Sequence, residues 1–209
     1  MSINKAIVQA MTDLEEDALY AEVKKELDAG TDKMSIIASL QEGMTKVGDL
    51  FSANKYFLSE LMMSAELFGI CQDMMGGEDA IEAKYGCFLI GTVYGDVHDI
   101  GKNIVVAVMR SNGFKVIDLG VDVRPEAFIA AVKEHNPKVI GFSCLLTTAF
   151  DSMKDCIKQL RDSGLSEGRL LLIGGGPVEE GTVKYVNADA MCKTPQDGLT
   201  MSIAHVTKA

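Results

Sequence analysis

A change of texture near residue 85 constrains this chain more than any other feature. Beyond it, short apolar runs of β type alternate with segments of helix length. The runs are CFLIGTV (87–93), FKVIDLG (114–120), KVIGFSC (138–144) and RLLLIGGG (169–176), with a weaker fifth at 188–191. Between and after them lie IGKNIVVAVMRSNG, PEAFIAAVKEHN, AFDSMKDCIKQLRDSG, PVEEGTVKYV and PQDGLTMSIAHVTK. Parallel strands need a long crossover, and a helix supplies it, so this alternation predicts a doubly wound parallel sheet.

Before residue 80 the apolar period is helical instead. Ile37, Leu40, Met44, Val47 and Phe51 recur at steps of three and four, and Leu58, Leu61, Ala65 and Phe68 follow the break SANKY. A weaker series with Ala18, Val23 and Leu27 precedes Gly30. Three or four short helices are expected. The fold class is therefore α plus α/β: an N-terminal helical bundle over residues 1–80, then a Rossmann- or flavodoxin-like domain over residues 85–209. GGEDAIEAK reads as the linker, with Gly76-Gly77 as its hinge.

Charge and composition exclude several functions. The net charge is -10, and residues 1–80 hold 6 Lys/Arg against 15 Asp/Glu. That sign repels phosphate backbones, so no nucleic-acid partner is expected. No apolar stretch approaches the ~18 residues of a membrane span, and MSINKAIVQAMTDLEED lacks a signal-peptide core, which points to a soluble cytoplasmic protein. Cys71, Cys87, Cys144, Cys156 and Cys192 are odd in number and contain no CxxC. They read as buried reduced thiols.

Ligands of such sheets bind at the carboxyl ends of the strands. Three loops there carry the unusual residues: GDVHDIGKN (95–103), Ser143 to Thr148, and Gly174 to Gly176. The first is not a phosphate loop. It has five residues between its glycines where that motif has four, Asn103 where the motif has Ser/Thr, and two carboxylates, Asp96 and Asp99, that repel phosphate. In GGGPVE, Glu179 stands where a dinucleotide fingerprint needs its last glycine. His135 and His205 have no ligand spacing to His98, and Ser143 sits in GFSCLL rather than a nucleophile elbow. Asp96 can accept a proton from one ring nitrogen of His98 and leave the other for a metal. One protein ligand suffices when the metal brings its own macrocycle.

D-x-H-x-x-G at Asp96, His98 and Gly101, S-x-L at Ser143 and Leu145, and Gly174-Gly175 together resemble the signature of cobalamin-binding domains. The resemblance implies a corrinoid cofactor with His98 as the lower axial ligand of cobalt, in place of the cofactor's own base, and Asp96 tuning His98 by a hydrogen bond. It also implies a slot for the nucleotide tail lined by Ser143, Leu145, Thr147, Gly174, Gly175 and Gly176, while Gly95, Val97, Asp99 and Ile100 complete the cofactor loop.

Residues 34–68, with GMTKVGDLF and FLSELMMSAELF, resemble the helical cap of methyl-carrying members. Phe51 and Leu58 match the cap residues that shield cobalt, and both also fit simple bundle core. Where methionine synthase continues the His-Asp relay with a serine, this chain has Ala149. The relay then ends at Asp96 unless Asp99, Ser143 or water replaces the serine.

By the same resemblance the chain is the stand-alone, non-catalytic corrinoid subunit of a methyltransferase system. It accepts a methyl group on cob(I)alamin from a substrate-specific methyltransferase, with a methoxylated aromatic or a methylamine as donor. A second methyltransferase passes the group to tetrahydrofolate or coenzyme M, and a reductive activase maintains the cofactor. A cobalamin-dependent sensor or regulator is the rival reading; it needs an output module, and none is legible. The small subunit of a carbon-skeleton mutase shares the histidine loop but lacks the helical domain.

Overall fold

The computed structural model describes residues 3–77 and 83–208, and the chain divides into two compact units, Met1–Glu82 and Ala83–Ala209. Of the linker read from the sequence, residues 78–82 lie outside the described residues.

The first unit contains α1 (Lys5–Asp13), α2 (Glu16–Asp28), α3 (Lys33–Ser52) and α4 (Leu58–Met74). Asn4 begins α1: its Oδ1 accepts from the amides of Ala6 and Ile7, while its Nδ2 donates to Glu22 and Glu26 of α2. One residue thus caps a helix and ties it to its neighbour. Ile7, Met11, Leu19, Val23, Ile37, Leu40, Met44 and Phe68 form the core.

Two expectations need correction. Helices α3 and α4 run for 20 and 17 residues, so they are not short. In α2, Leu19 is buried beside Val23 whereas Ala18 is exposed. The weak apolar contrast of that helix concealed its phase.

Helix α4 is apolar on two faces. Leu61, Leu67, Phe68 and Cys71 are buried, while Leu58, Met62, Met63, Ile70 and Met74 are exposed, as is Phe57 just before the helix. Ser59, Glu66 and Asp73 interrupt the exposed apolar side chains.

In the second unit, β1 (Cys87–Thr92), β2 (Lys115–Asp118), β3 (Val139–Ser143), β4 (Leu170–Gly174) and β5 (Ala190–Cys192) form one sheet of order β2-β1-β3-β4-β5, every pair parallel. The crossovers are α5 (Ile100–Ser111), α6 (Pro125–His135), α7 (Phe150–Asp162) and α8 (Glu180–Val186), and α9 (Pro195–Thr207) follows β5. Leu89, Ile140, Phe142, Leu171 and Ile173 are buried, as expected of strands covered on both faces. Asn136 and Asn187 end α6 and α8 in the left-handed conformation that asparagine tolerates.

This is the flavodoxin-like order, in which the chain reverses direction across the sheet between β1 and β3. The register aligns the strand ends: Ser143 pairs with Thr92 on one side and Gly174 on the other. The three glycine- and polar-rich loops therefore leave the sheet from one row. Among the described residues, no helix is long and apolar enough to cross a membrane, and the five cysteines are free.

Gly43 on α3 is the tightest point of the bundle. A Cβ there would lie 2.6 Å from Met11 Cβ and 3.1 Å from the Val8 carbonyl of α1. Overpacking of about 1–3 kcal/mol exceeds the helix-propensity gain of about 1 kcal/mol, so Gly43→Ala should lower stability in urea titration. Gly69→Ala on α4, where a Cβ meets nothing within 4 Å, should raise it by up to about 1 kcal/mol.

Candidate cofactor site

The turn after β1 is organised around Asp96, which is 0% exposed. Its Oδ1 accepts from the His98 amide at 3.0 Å and lies 2.6 Å from His98 Nδ1. Its Oδ2 accepts from the amides of Leu145 at 2.5 Å and Leu146 at 3.0 Å, in the loop after β3. Burial pushes this carboxyl up, but the His98 amide and ring together with the two leucine amides pull it down to about 2. The site thus holds a stable carboxylate, and its partner Nδ1 carries the ring proton. The ring's Nε2 is the nitrogen turned away from Asp96, on a side chain that is 48% exposed.

The third side chain beside Asp96 is the buried Cys144 thiol, which burial and then the Asp96 charge push up. Ala149 is buried and has no group to bond, and two backbone amides donate to Asp96 Oδ2. Neither Asp99 nor Ser143 bonds to Asp96 among the described residues. Asp99 instead precedes α5 and accepts from Asn103.

Sequence reading missed several supports. Buried Thr92 donates its hydroxyl to the His98 carbonyl at 3.0 Å. Asp122, after β2, accepts from the Gly95 amide and donates its own amide to the Asp96 carbonyl. Lys102, in the Gly-Lys-Asn that superficially suggests a phosphate loop, is buried and held by Asp118 Oδ2 at 2.6 Å and Asn103 Oδ1 at 2.7 Å. Its ammonium belongs to an internal ion pair that fastens α5 to β2. Only the residue type of Thr92, a polar residue ending a buried strand, could have signalled any of this.

The expected site residues of the second unit do converge on the carboxyl edge of β1, β3 and β4. Gly95 turns the chain with φ 86°. Val97 and Ile100 stand out at 66% and 62% exposure, and Leu145 is also exposed. Gly101 lies in the first turn of α5, Ser143 ends β3, and Thr147 begins a short 3-10 turn at Thr147–Ala149. Gly174 ends β4 beside Ser143.

At Gly175, expected to line the tail slot, the fold itself needs glycine. With φ 135° there, a Cβ would lie 1.8 Å from the Cys144 carbonyl oxygen. The backbone that approaches most closely is the chain's own. Phe51 and Leu58 belong to the first unit, where Phe51 is half-buried and Leu58 is 42% exposed. His135 and His205 stay away from the site: His135 ends α6, and His205 Nε2 lies 3.2 Å from the Gly168 carbonyl. No group of three or more His, Cys, Asp or Glu side chains suited to a metal ion occurs among the described residues.

A single exposed imidazole nitrogen, oriented from behind and ringed by exposed apolar side chains, suits a metal carried in a large, largely apolar macrocycle. Models of B12-binding domains match residues 86–198 and residues 3–69. A corrinoid protein of Desulfitobacterium hafniense is 34% identical over 97% of this chain and 96% of its own length. The chain belongs to the B12-binding corrinoid proteins. Among corrinoid proteins it also resembles dimethylamine corrinoid protein 1 of Methanosarcina acetivorans, at 36% identity over 91% of each chain. In solved structures it matches a cobalamin-binding protein from D. hafniense with TM-score 0.83 and 35% identity, covering 98% of this chain and 99% of that one. The methanol:cobalamin methyltransferase complex of Methanosarcina barkeri also gives TM-score 0.83, at 30% identity, covering 98% of this chain and 79% of that one.

The residues of this corrinoid protein fit the cofactor its family binds. The imidazole offers one nitrogen, and three loops leaving one row of the sheet offer the edge along which a nucleotide tail can run.

Asp96→Asn leaves one oxygen and turns an amide donor toward other donors. Losing charge-assisted bonds in a buried place should cost the cofactor-free protein about 2–4 kcal/mol in urea titration. The loss should exceed that of Asp99→Asn, whose carboxylate is exposed.

Proposed function

We propose that this corrinoid protein is a methyl carrier, taking a methyl group from one methyltransferase and presenting it to another. The observation that carries this reading is the 2.6 Å pairing of His98 Nδ1 with buried Asp96, which leaves Nε2 to meet cobalt. The bound corrinoid supplies a cobalt centre that gains and loses methyl groups and needs a reductive activase after adventitious oxidation.

The chain's own residues act around that centre. Asp96 cannot turn away, because two amides from the loop after β3 hold its other oxygen. It keeps the Nδ1 proton in place and so fixes which nitrogen binds. Thr92 holds the backbone of His98 through its carbonyl, so the imidazole would be presented to the metal from a fixed peptide. His98 Nε2 is the nitrogen that would hold the metal, with Asp96 bonded to the opposite side of the ring. Val97, Ile100 and Leu145 offer exposed apolar surface against which a corrinoid would pack, while Ser143, Thr147 and Gly174 to Gly176 would line the tail slot, with Gly95, Asp99 and Gly101 shaping the loop.

In the first unit, Phe51 and Leu58 are the proposed shielding residues of a cap formed by residues 1–80. The exposure of Leu58 and the outward apolar face of α4 support a covering role over simple core. The dimethylamine corrinoid proteins among its relatives favour a methylamine donor over a methoxylated aromatic, and a carrier over a regulator. Free thiols suit the cytoplasm.

The experiment is reconstitution of wild type and His98→Ala with hydroxocobalamin, followed by gel filtration and visible and electron paramagnetic resonance spectra. Wild type should retain corrinoid with a histidine nitrogen on cobalt. His98→Ala should lose that nitrogen, and its methyl transfer with a methylamine methyltransferase should fall by at least about tenfold. Retention of wild-type ligation by His98→Ala refutes the assignment.

A further inference from the structure

We infer that Asp122 is a positioning residue for His98, an assignment that rests on His98 being the cobalt ligand. Asp122 lies in the loop between β2 and α6, 24 positions from His98 in sequence, and is exposed with φ 54°. A left-handed backbone is uncommon for a residue with a side chain, although aspartate and asparagine tolerate it best, and an exposed residue gains nothing from burial in return. Both of its bonds explain its presence. Oδ1 accepts from the Gly95 amide at 2.8 Å, and its amide donates to the Asp96 carbonyl at 2.9 Å.

These bonds finish a ladder. The Thr92 amide donates to the Gly120 carbonyl, the Val123 amide donates to the Thr92 carbonyl, and Val93 pairs in parallel with Val123. The Arg124 guanidinium lies 4.3 Å from the ring centre of Tyr94. The segment from Thr92 to Asp96 is thus braced along its length by residues 120–124. Asp122 supplies the last brace, on the two residues that turn the chain into Val97-His98. Asp96 fixes the ring from inside, and Asp122 fixes the peptide that carries Asp96.

Two substitutions separate the bonds from the backbone conformation, because glycine and asparagine both accept a positive φ but only asparagine keeps the side-chain acceptor. Asp122→Gly, Asp122→Asn and His98→Ala are prepared as full-length chains. Each is reconstituted with hydroxocobalamin, reduced to the Co(II) state, and examined by electron paramagnetic resonance with isotope-labelled histidine to report the axial nitrogen. In the cofactor-free chains, amide hydrogen exchange is followed at Gly95.

Asp122→Gly should bind corrinoid with a several-fold larger fraction lacking the histidine nitrogen, and its Gly95 amide should exchange on the order of fivefold faster. Asp122→Asn should restore both to wild-type values. Wild-type axial ligation in Asp122→Gly, alongside a changed His98→Ala, overturns the role of Asp122 and leaves the ligand assignment standing. A His98→Ala spectrum identical to wild type overturns both. Should Asp122→Gly fold poorly, failure of Asp122→Asn to reproduce the wild-type ligation and Gly95 exchange overturns the proposal by itself.

Discussion

Asp96 carries a negative charge in a fully buried position, and the chain compensates it with donors from two loops rather than with a cation. His98 contributes its amide and its ring, and the loop after β3 contributes the amides of Leu145 and Leu146. An ionised carboxylate buried without such partners would cost several kcal/mol. The two loops are consequently obliged to stay together for the fold's sake. The geometry that presents His98 is thereby enforced by stability, and a cofactor is not required to assemble it.

The same logic appears at Lys102 and Asp118. A buried ion pair fastens the start of α5 to the end of β2, and on the neighbouring side Asp122 laces the loops together. The histidine turn is held on each flank by a carboxylate from the β2 region, while its inner edge is held by Thr92. Between these fixed points the apolar side chains of Val97 and Ile100 stand exposed, and the half-exposed imidazole is held by Asp96.

Much of this was legible in the sequence, for reasons that differ by residue. The strands of the sheet are buried on both faces, so they show as continuous apolar runs such as FLIG and VIGF, and the fold class follows from their alternation with amphipathic segments. Asp96 and His98 are two residues apart, so their pairing is a local matter that spacing can suggest. Asp122 reaches Gly95 across 27 positions, and nothing local marks it. The amides of Leu145 and Leu146 are invisible in principle, because every residue but proline has one. Helix α2 misled by one position because its charged residues surround a narrow apolar stripe. At Gly175, expected to line the tail slot, the structure places the Cys144 carbonyl where a Cβ would be.

The row formed by Thr92, Ser143 and Gly174 acts as a datum for the whole carboxyl edge. Along a strand each residue advances about 3.3 Å and alternates faces. A single deletion inside β3 would therefore shift the Ser143 loop by that distance and invert its side chains relative to Asp96. Length changes at the opposite, amino-terminal ends of the strands leave the datum untouched. Divergence among such proteins should accordingly be written in the connections below the sheet, where the chain can lengthen without moving the histidine.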